Sequence, residues 1–179
     1  MNKVGLNELK KAIWKIRYFR DPVKYARKKG VKIGIGNNFV DHPNFGSEPY
    51  LISIGNHNRI SFDCTFITHD GGRWVLDYLY PEDGPFLKYG TIEVGNNNFI
   101  GARAIINPGI KIGDNCVIAA GSIVTKNIPS GEVWGGVPAK RIMSIDEYKK
   151  KLINNKDKFE LNAFKKDKRS ELIRVLSEN

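Results

Sequence analysis

The sequence is short of the features that would mark a membrane protein, a disulfide scaffold or a zinc module. It has 179 residues, 41% hydrophobic and 27% charged, and no apolar run approaches the roughly 20 residues that a membrane-spanning helix needs. The first stretch, MNKVGLNELKKAIWKIRYFR, is charged throughout and has no apolar centre or cleavage pattern, so it is not expected to be a signal peptide. Cys64 and Cys116 are too few for a disulfide framework and lack zinc-type spacing. Both are expected to be reduced, small core residues of a cytoplasmic protein. Between Val31 and Ile142 there is no candidate helix of ten or more residues, which excludes an ordinary α/β domain. The length suits one domain with a real core.

The formal net charge of +10 is unevenly spread. Residues 1–32 carry eleven Lys and Arg against Glu8 and Asp21, a balance of +9. Residues 33–143 carry eight against ten acids, and residues 144–179 carry ten against seven. A nucleic-acid binder brings its basic residues to a reading surface with aromatics or a known motif. Here the excess sits on one terminal segment, so no nucleic-acid partner is expected. A solvated helix face explains it. So does attraction to an anionic surface or substrate, including a weak membrane-surface association through a basic N-terminal helix.

What the middle of the chain does have is a period of six. An aliphatic residue returns at Val94, Ile100, Ile106, Ile112, Ile118 and Val124. A small residue often follows (Gly95, Gly101, Gly113, Ala119), and the position four further on is often small (Ala104, Cys116, Ser122). The same pattern appears upstream at Ile54, Ile60 and Phe66, and a still earlier unit is read at IGNNFV, Ile35 to Val40. Six is neither a helical nor a simple strand period. It fits a parallel β-helix in which each hexad gives a strand and a turn, and three hexads make one triangular coil. The Gly and Asn residues in GNN, GNH and GDN would supply positive φ at the corners.

Two interruptions break the period. One is DHPNFGSEPY, Asp41 to Tyr50; the longer is an inserted loop, residues 70–91, rich in aromatics, Gly and Pro. Long loops on a rigid scaffold are commonly functional, and His69 stands at the root of this one. The ends read as helical: Leu6, Leu9, Ile13 and Ile16 form one stripe, Asp21-Pro22 opens a short helix that Gly30 closes, SIDE at Ser144 to Glu147 has capping-box form, and a final helix starts near Ser170. The organisation expected is therefore a basic helical segment at 1–32, a β-helix domain at 33–143 and a helical segment at 144–179.

With these residues in view, the chain resembles the hexapeptide-repeat acyltransferases. The resemblance runs from about Gly30 to Ile142, and its most specific piece is IGDNCVIAAGSIVTKNIPSGEVWGGVPAKRI. That piece is similar to the acetyl-CoA-binding end of maltose, galactoside and polysaccharide O-acetyltransferases. FGSEPYLISIG together with FITHDGG resembles the capsular and lipopolysaccharide branch. The resemblance implies an all-β core, a left-handed parallel β-helix with short α-helical N- and C-terminal segments, and a homotrimer with its sites between neighbouring prisms. It also implies acetyl-CoA as donor, a saccharide or other small-molecule acceptor, and His69 as general base.

The chemistry needs such a base. A sugar hydroxyl is a poor nucleophile at neutral pH, and a neutral imidazole in reach can take its proton as the oxygen attacks a thioester. An acceptor should fix the imidazole tautomer; Glu48, Asp70 and Asp63 are the candidates, with Glu48 preferred by the resemblance. The resemblance also places acetyl-CoA along Ala102 and Ala120, beside Thr125 and Lys126, with Lys140 and Arg141 toward its phosphates and Pro138 and Trp134 near its adenine. Asp70, Trp74 and Tyr78 in the loop are candidates for holding the acceptor, with packing of the loop as the alternative. Three other readings remain: an antibiotic acetyltransferase of the streptogramin or chloramphenicol type, a γ-class zinc carbonic anhydrase, and a non-catalytic hexapeptide scaffold. The second needs three histidine ligands, and His42, His57 and His69 lack its spacing, so no metal is expected.

Overall fold

The computed structural model describes residues 21–156 and 158–177. Its centre is a parallel β-helix whose chain visits three sheets in rotation. Face 1 holds β1 (Lys32–Ile33), β3 (Ile52–Ile54), β6 (Ile92–Val94) and β9 (Lys111–Ile112). Face 2 holds β2 (Asn38–Phe39), β4 (Arg59–Ile60), β7 (Phe99–Ile100), β10 (Val117–Ile118) and β12 (Glu132–Gly136). Face 3 holds β5 (Thr65–Phe66), β8 (Ile105–Ile106) and β11 (Ile123–Val124).

The register explains the period. Val94 pairs with Ile112, Ile100 with Ile118, and Ile106 with Val124, so one coil is eighteen residues, or three hexads. All six side chains are buried, stacked on their equivalents in the next coil. Burying such aliphatic side chains is the main source of stability here, at about 1.5–3 kcal/mol each. Cys64, Ala104, Cys116 and Ser122 fill the remaining interior, where only small residues fit.

The corners correct the expectation about glycine. Positive φ falls on His57, Asn97 and Asn115, the third residue of GNH, GNN and GDN, and not on Gly55, Gly95 or Gly113, whereas in the earlier GNN it falls on Gly36 itself. Gly55, Gly95 and Gly113 are needed for another reason. A Cβ at Gly95 would lie 2.8 Å from the Gly113 carbonyl oxygen, so glycine lets adjacent coils touch. Side-chain ladders then tie the corners together. Asn96 N donates to Asp114 Oδ1 at 2.6 Å, and Cys116 N donates to the buried Asn98 Oδ1 at 2.7 Å. The earliest unit is also read two residues late. Ile33 pairs with Ile54 and Phe39 with Ile60, so these point inward, while Ile35 sits at a corner, 71% exposed.

The interruptions leave the faces aligned. Ile33 to Ile54 spans 21 residues, three more than a coil; Ile54 to Val94 spans 40, or 22 more. The long insertion has a closed neck: Gly90 N donates to Thr68 O at 2.8 Å, Asp70 N donates to Lys88 O at 3.0 Å, and His69 bridges Tyr89.

Helix α1 (Pro22–Lys29) covers the first coil, with Ala26 buried against the core. It is capped as expected, by Asp21 accepting from Lys24 N and by Gly30 at φ 112°. The insertion contains a short helix, α2 (Arg73–Leu79), which the sequence reading treats only as loop. Beyond β12 the chain turns back antiparallel as β13 (Ala139–Ser144), another element not expected. Ser144 and Glu147 form the reciprocal capping box that opens α3 (Ile145–Lys156). Then α4 (Leu161–Lys166) precedes α5 (Lys168–Ser177), which starts two residues before the expected position. The stripe from Leu6 to Ile16 lies outside the described residues.

Candidate active site

The site is built where face 3 turns toward face 1. Leaving β5, the side chains alternate: Phe66 points inward, Ile67 does not, and Thr68 is buried again. His69 therefore emerges at the edge, its side chain 39% exposed, at the neck of the insertion. The shorter interruption, which lengthens its coil by three residues, brings Glu48 to the same place, just ahead of a 3-10 turn, Pro49–Leu51. Glu48 Oε2 lies 2.8 Å from His69 Nδ1 and accepts from Thr68 Oγ1 at 2.6 Å. The Tyr89 ring is 5.7 Å from the imidazole, centroid to centroid.

The electrostatics follow from these contacts. The Thr68 hydroxyl, and next the His69 ring, hold the Glu48 carboxyl below its ordinary value. An ionised carboxylate only accepts hydrogen bonds, so the nitrogen facing it carries the ring proton. That leaves Nε2 with its lone pair, as a general base requires.

The other two acids are occupied elsewhere. Asp70 accepts from Gly72 N at 2.9 Å and pairs with Lys88, which shapes the turn into the loop. Asp63 lies one edge away and faces Arg103 at 3.6 Å. Cys64 is buried with its thiol 3.2 Å from the Gly101 carbonyl, and burial pushes the thiol up, so it is not disposed to act as a nucleophile. The three histidines stand at three different corners, His42 against Tyr25 and His57 in a positive-φ turn.

Trp74 and Tyr78 project from α2, 84% and 86% exposed, so neither packs the loop onto its own prism. With Val75 and Leu79 they line a shallow concavity. Asp77 fixes the helix by accepting from Phe86 N and pairing with Arg73.

The residues assigned to acetyl-CoA are not all gathered beside His69. Thr125 and Lys126 follow β11, on the same edge as His69 and two coils along. Strand spacing puts that at about 10 Å. Ala102 and Ala120 stack one coil apart on the edge between faces 2 and 3, where Gly121 N donates to Ala102 O at 2.8 Å. Pro138, Lys140 and Arg141 lie on the β12–β13 hairpin. Lys126 and Lys140 are exposed, with no ion pair among the described residues. Arg141 is instead held by Glu132 at 3.0 Å, and Trp134 Nε1 donates to that same carboxylate.

Sequence reasoning missed Thr68 and Tyr89. Thr68 carried a signal: it is a polar residue two positions after Phe66, in the inward phase of the strand. Tyr89 carried none, because its place depends on how the insertion closes.

Comparison with known proteins bears on this arrangement. Residues 91–126 match the model of the hexapeptide repeat of succinyl-transferase. The chain is 45% identical over 133 residues to protein CapG of Staphylococcus aureus, covering 73% of this chain and 76% of that protein. The chain belongs to the hexapeptide-repeat acyltransferase family. It is 37% identical to the galactoside O-acetyltransferase of Escherichia coli K12 over 66% of its own length and 57% of the relative's. Among solved structures, a maltose O-acetyltransferase from Clostridium difficile 630 matches with a TM-score of 0.52 and 26% identity, covering 66% of this chain and 72% of the other.

Proposed function

We propose that this family member transfers an acetyl group from acetyl-CoA to a hydroxyl of a saccharide, with His69 as general base. The Glu48–His69 pair carries the reading, because it sets the ring tautomer at an exposed edge beside an aromatic loop. The O-acetyltransferase names of two of the relatives favour a hydroxyl acceptor. We assign the family's left-handed winding to the prism and place the protein in the cytoplasm, where its two thiols would stay reduced.

The chain's residues suit the donor. The small side chains of Ala102 and Ala120 leave backbone amides open at an edge, and Lys126 and Lys140 offer unpaired charge to phosphates. When bound, acetyl-CoA supplies a thioester carbonyl as electrophile. His69 Nε2 accepts the proton of the attacking hydroxyl, while Glu48 holds Nδ1 and stabilises the cationic ring. Trp74 and Tyr78 present flat apolar surface for a sugar ring.

A homotrimer completes the site. On one prism His69 and Ala120 stand at different edges with face 3 between them. Cyclic symmetry would set the His69 edge of one copy against the Ala102–Ala120 edge of the next, giving three equal grooves.

The test is release of CoA thiol from acetyl-CoA in the presence of p-nitrophenyl glycosides, with chloramphenicol as a parallel acceptor. Acetylated glycoside is the expected product. Turnover of chloramphenicol alone would overturn the saccharide reading in favour of an antibiotic acetyltransferase.

A further inference from the structure

Thr68 is the least explained polar group near the site. It is 1% exposed, and its backbone oxygen already accepts from Gly90 N at the neck of the insertion. Its hydroxyl is therefore not needed to close the loop, and a valine would fill the same volume. Yet Oγ1 donates at 2.6 Å to Glu48 Oε2, the same oxygen that meets His69 Nδ1 at 2.8 Å. Two consecutive links, Thr68 to Glu48 to His69, join two sequence neighbours through a residue twenty positions upstream of the first.

We propose that Thr68 is a positioning residue of this site: its hydroxyl fixes the Glu48 carboxylate so that the carboxylate holds His69 by Nδ1 and leaves Nε2 as the proton acceptor. The inference rests on the His69 reading above.

Physical reasons favour this over simple packing. A glutamate has three side-chain torsions, and a single contact to an imidazole does not fix them. A second donor on the same oxygen does, and hydrogen bonds to a charged group are the strong ones. Buried polar networks hold a unique geometry when all members are satisfied. The groups facing Glu48 are few: Thr68, His69 and its neighbour Ser47. His69 in turn faces Glu48 and the Tyr89 ring, while the Asp70 carboxylate is committed to Gly72 N and Lys88. With Thr68 as the first contributor, the carboxyl stays ionised below its ordinary range. Loss of that donor would let Glu48 titrate at higher pH and swing away from the ring.

The test uses Thr68→Val, which keeps the shape, and Thr68→Ser, which keeps the hydroxyl. The first readout needs no substrate: carboxyl-carbon resonance of isotopically labelled Glu48 followed against pH. Its midpoint should move upward in Thr68→Val and return in Thr68→Ser. The second readout is turnover of acetyl-CoA with a p-nitrophenyl glycoside. Thr68→Val should lower kcat about tenfold, the scale of one charged hydrogen bond, with the KM for acetyl-CoA unchanged. In a Glu48→Gln background Thr68→Val should have no further effect on kcat. An unmoved Glu48 midpoint overturns the proposal, as does equal loss in the Val and Ser variants. A wild-type His69 found by nitrogen NMR as the Nε2–H tautomer also overturns it, and that measurement depends on no variant folding. A moved midpoint with no turnover of any glycoside supports the network and sinks only the saccharide reading.

Discussion

Arg141 and Glu132 face each other across the final hairpin, Nε to Oε1 at 3.0 Å, with Glu147 a further 3.9 Å from the same guanidinium. The guanidinium is thus already balanced by acids of its own chain. Lys126 and Lys140 are not, and this separates three cations that the motif alone treats alike. Lys126→Ala and Lys140→Ala should each raise the KM for acetyl-CoA by about tenfold and leave that for the acceptor unchanged. Arg141→Ala should act mainly by loosening the hairpin, seen as a lower melting temperature. Steady-state kinetics with both substrates varied would show it, and an effect of the lysines on the acceptor KM alone would mean that the donor lies elsewhere.

His69→Ala should lower kcat by about 10²–10⁴-fold, the range of a general base, while leaving the circular dichroism spectrum and acetyl-CoA affinity intact. The side chain is partly exposed and its backbone already sits in the neck ladder, so the coils should hold without the ring. Near-normal turnover would rule out the mechanism.

If His69 and the Ala102–Ala120 edge meet only between copies, two dead variants should rescue each other. Ala120→Glu places bulk and charge at an exposed corner, and His69→Ala removes the base. Unfolding and refolding the two together should restore part of the activity, in particles that light scattering reads as three chains. A trimer without rescue would put both edges of each site on one chain.

The C-terminal pair of helices has its own pH sensitivity. Glu171 is buried, accepts from Arg174 and from Glu160 N, and its carboxyl is held down at about 2. The folded value lies below the unfolded one, so the contribution is complete above pH 4.5 and is lost as pH falls from there through about 2. Acid titration followed by helix signal should show α4 and α5 loosening in that window, and Glu171→Gln should make the loss independent of pH.

The repeat was legible in the sequence because each inward side chain is chosen locally: Ile100 needs an apolar neighbour above and below whatever the rest of the chain does. The corner glycines were legible as residues but not as causes, since the need for Gly95 comes from a coil eighteen residues on. Counting could not carry the register through the insertions, because excesses of 3 and 22 are not multiples of six. Misreading the first unit at Ile35 followed from that. Helix α2 gave little sign, as its seven residues hold only the i,i+4 pair Arg73 and Asp77 as a polar side, among five apolar and aromatic residues. Of the site, His69 was visible by its place at the end of a strand, and its expected role came from the resemblance. The same resemblance preferred Glu48 among three acids, but its contact with the ring depends on how the shorter interruption folds.

The neck between residues 68–70 and 88–90 means that the insertion leaves and rejoins the wall of the prism at nearly one point, as a handle joins a cup. The coils on either side pair directly, Ile54 with Val94 and Phe66 with Ile106. Residues between the two ends of the neck can therefore change in length and character without shifting a single rung of the wall. His69 and Glu48 stand on the fixed side of that junction, and the exposed Trp74 and Tyr78 on the free side. If His69 is the base and the loop aromatics meet the acceptor, as proposed, acceptor preference can change in the handle without disturbing proton transfer in the wall.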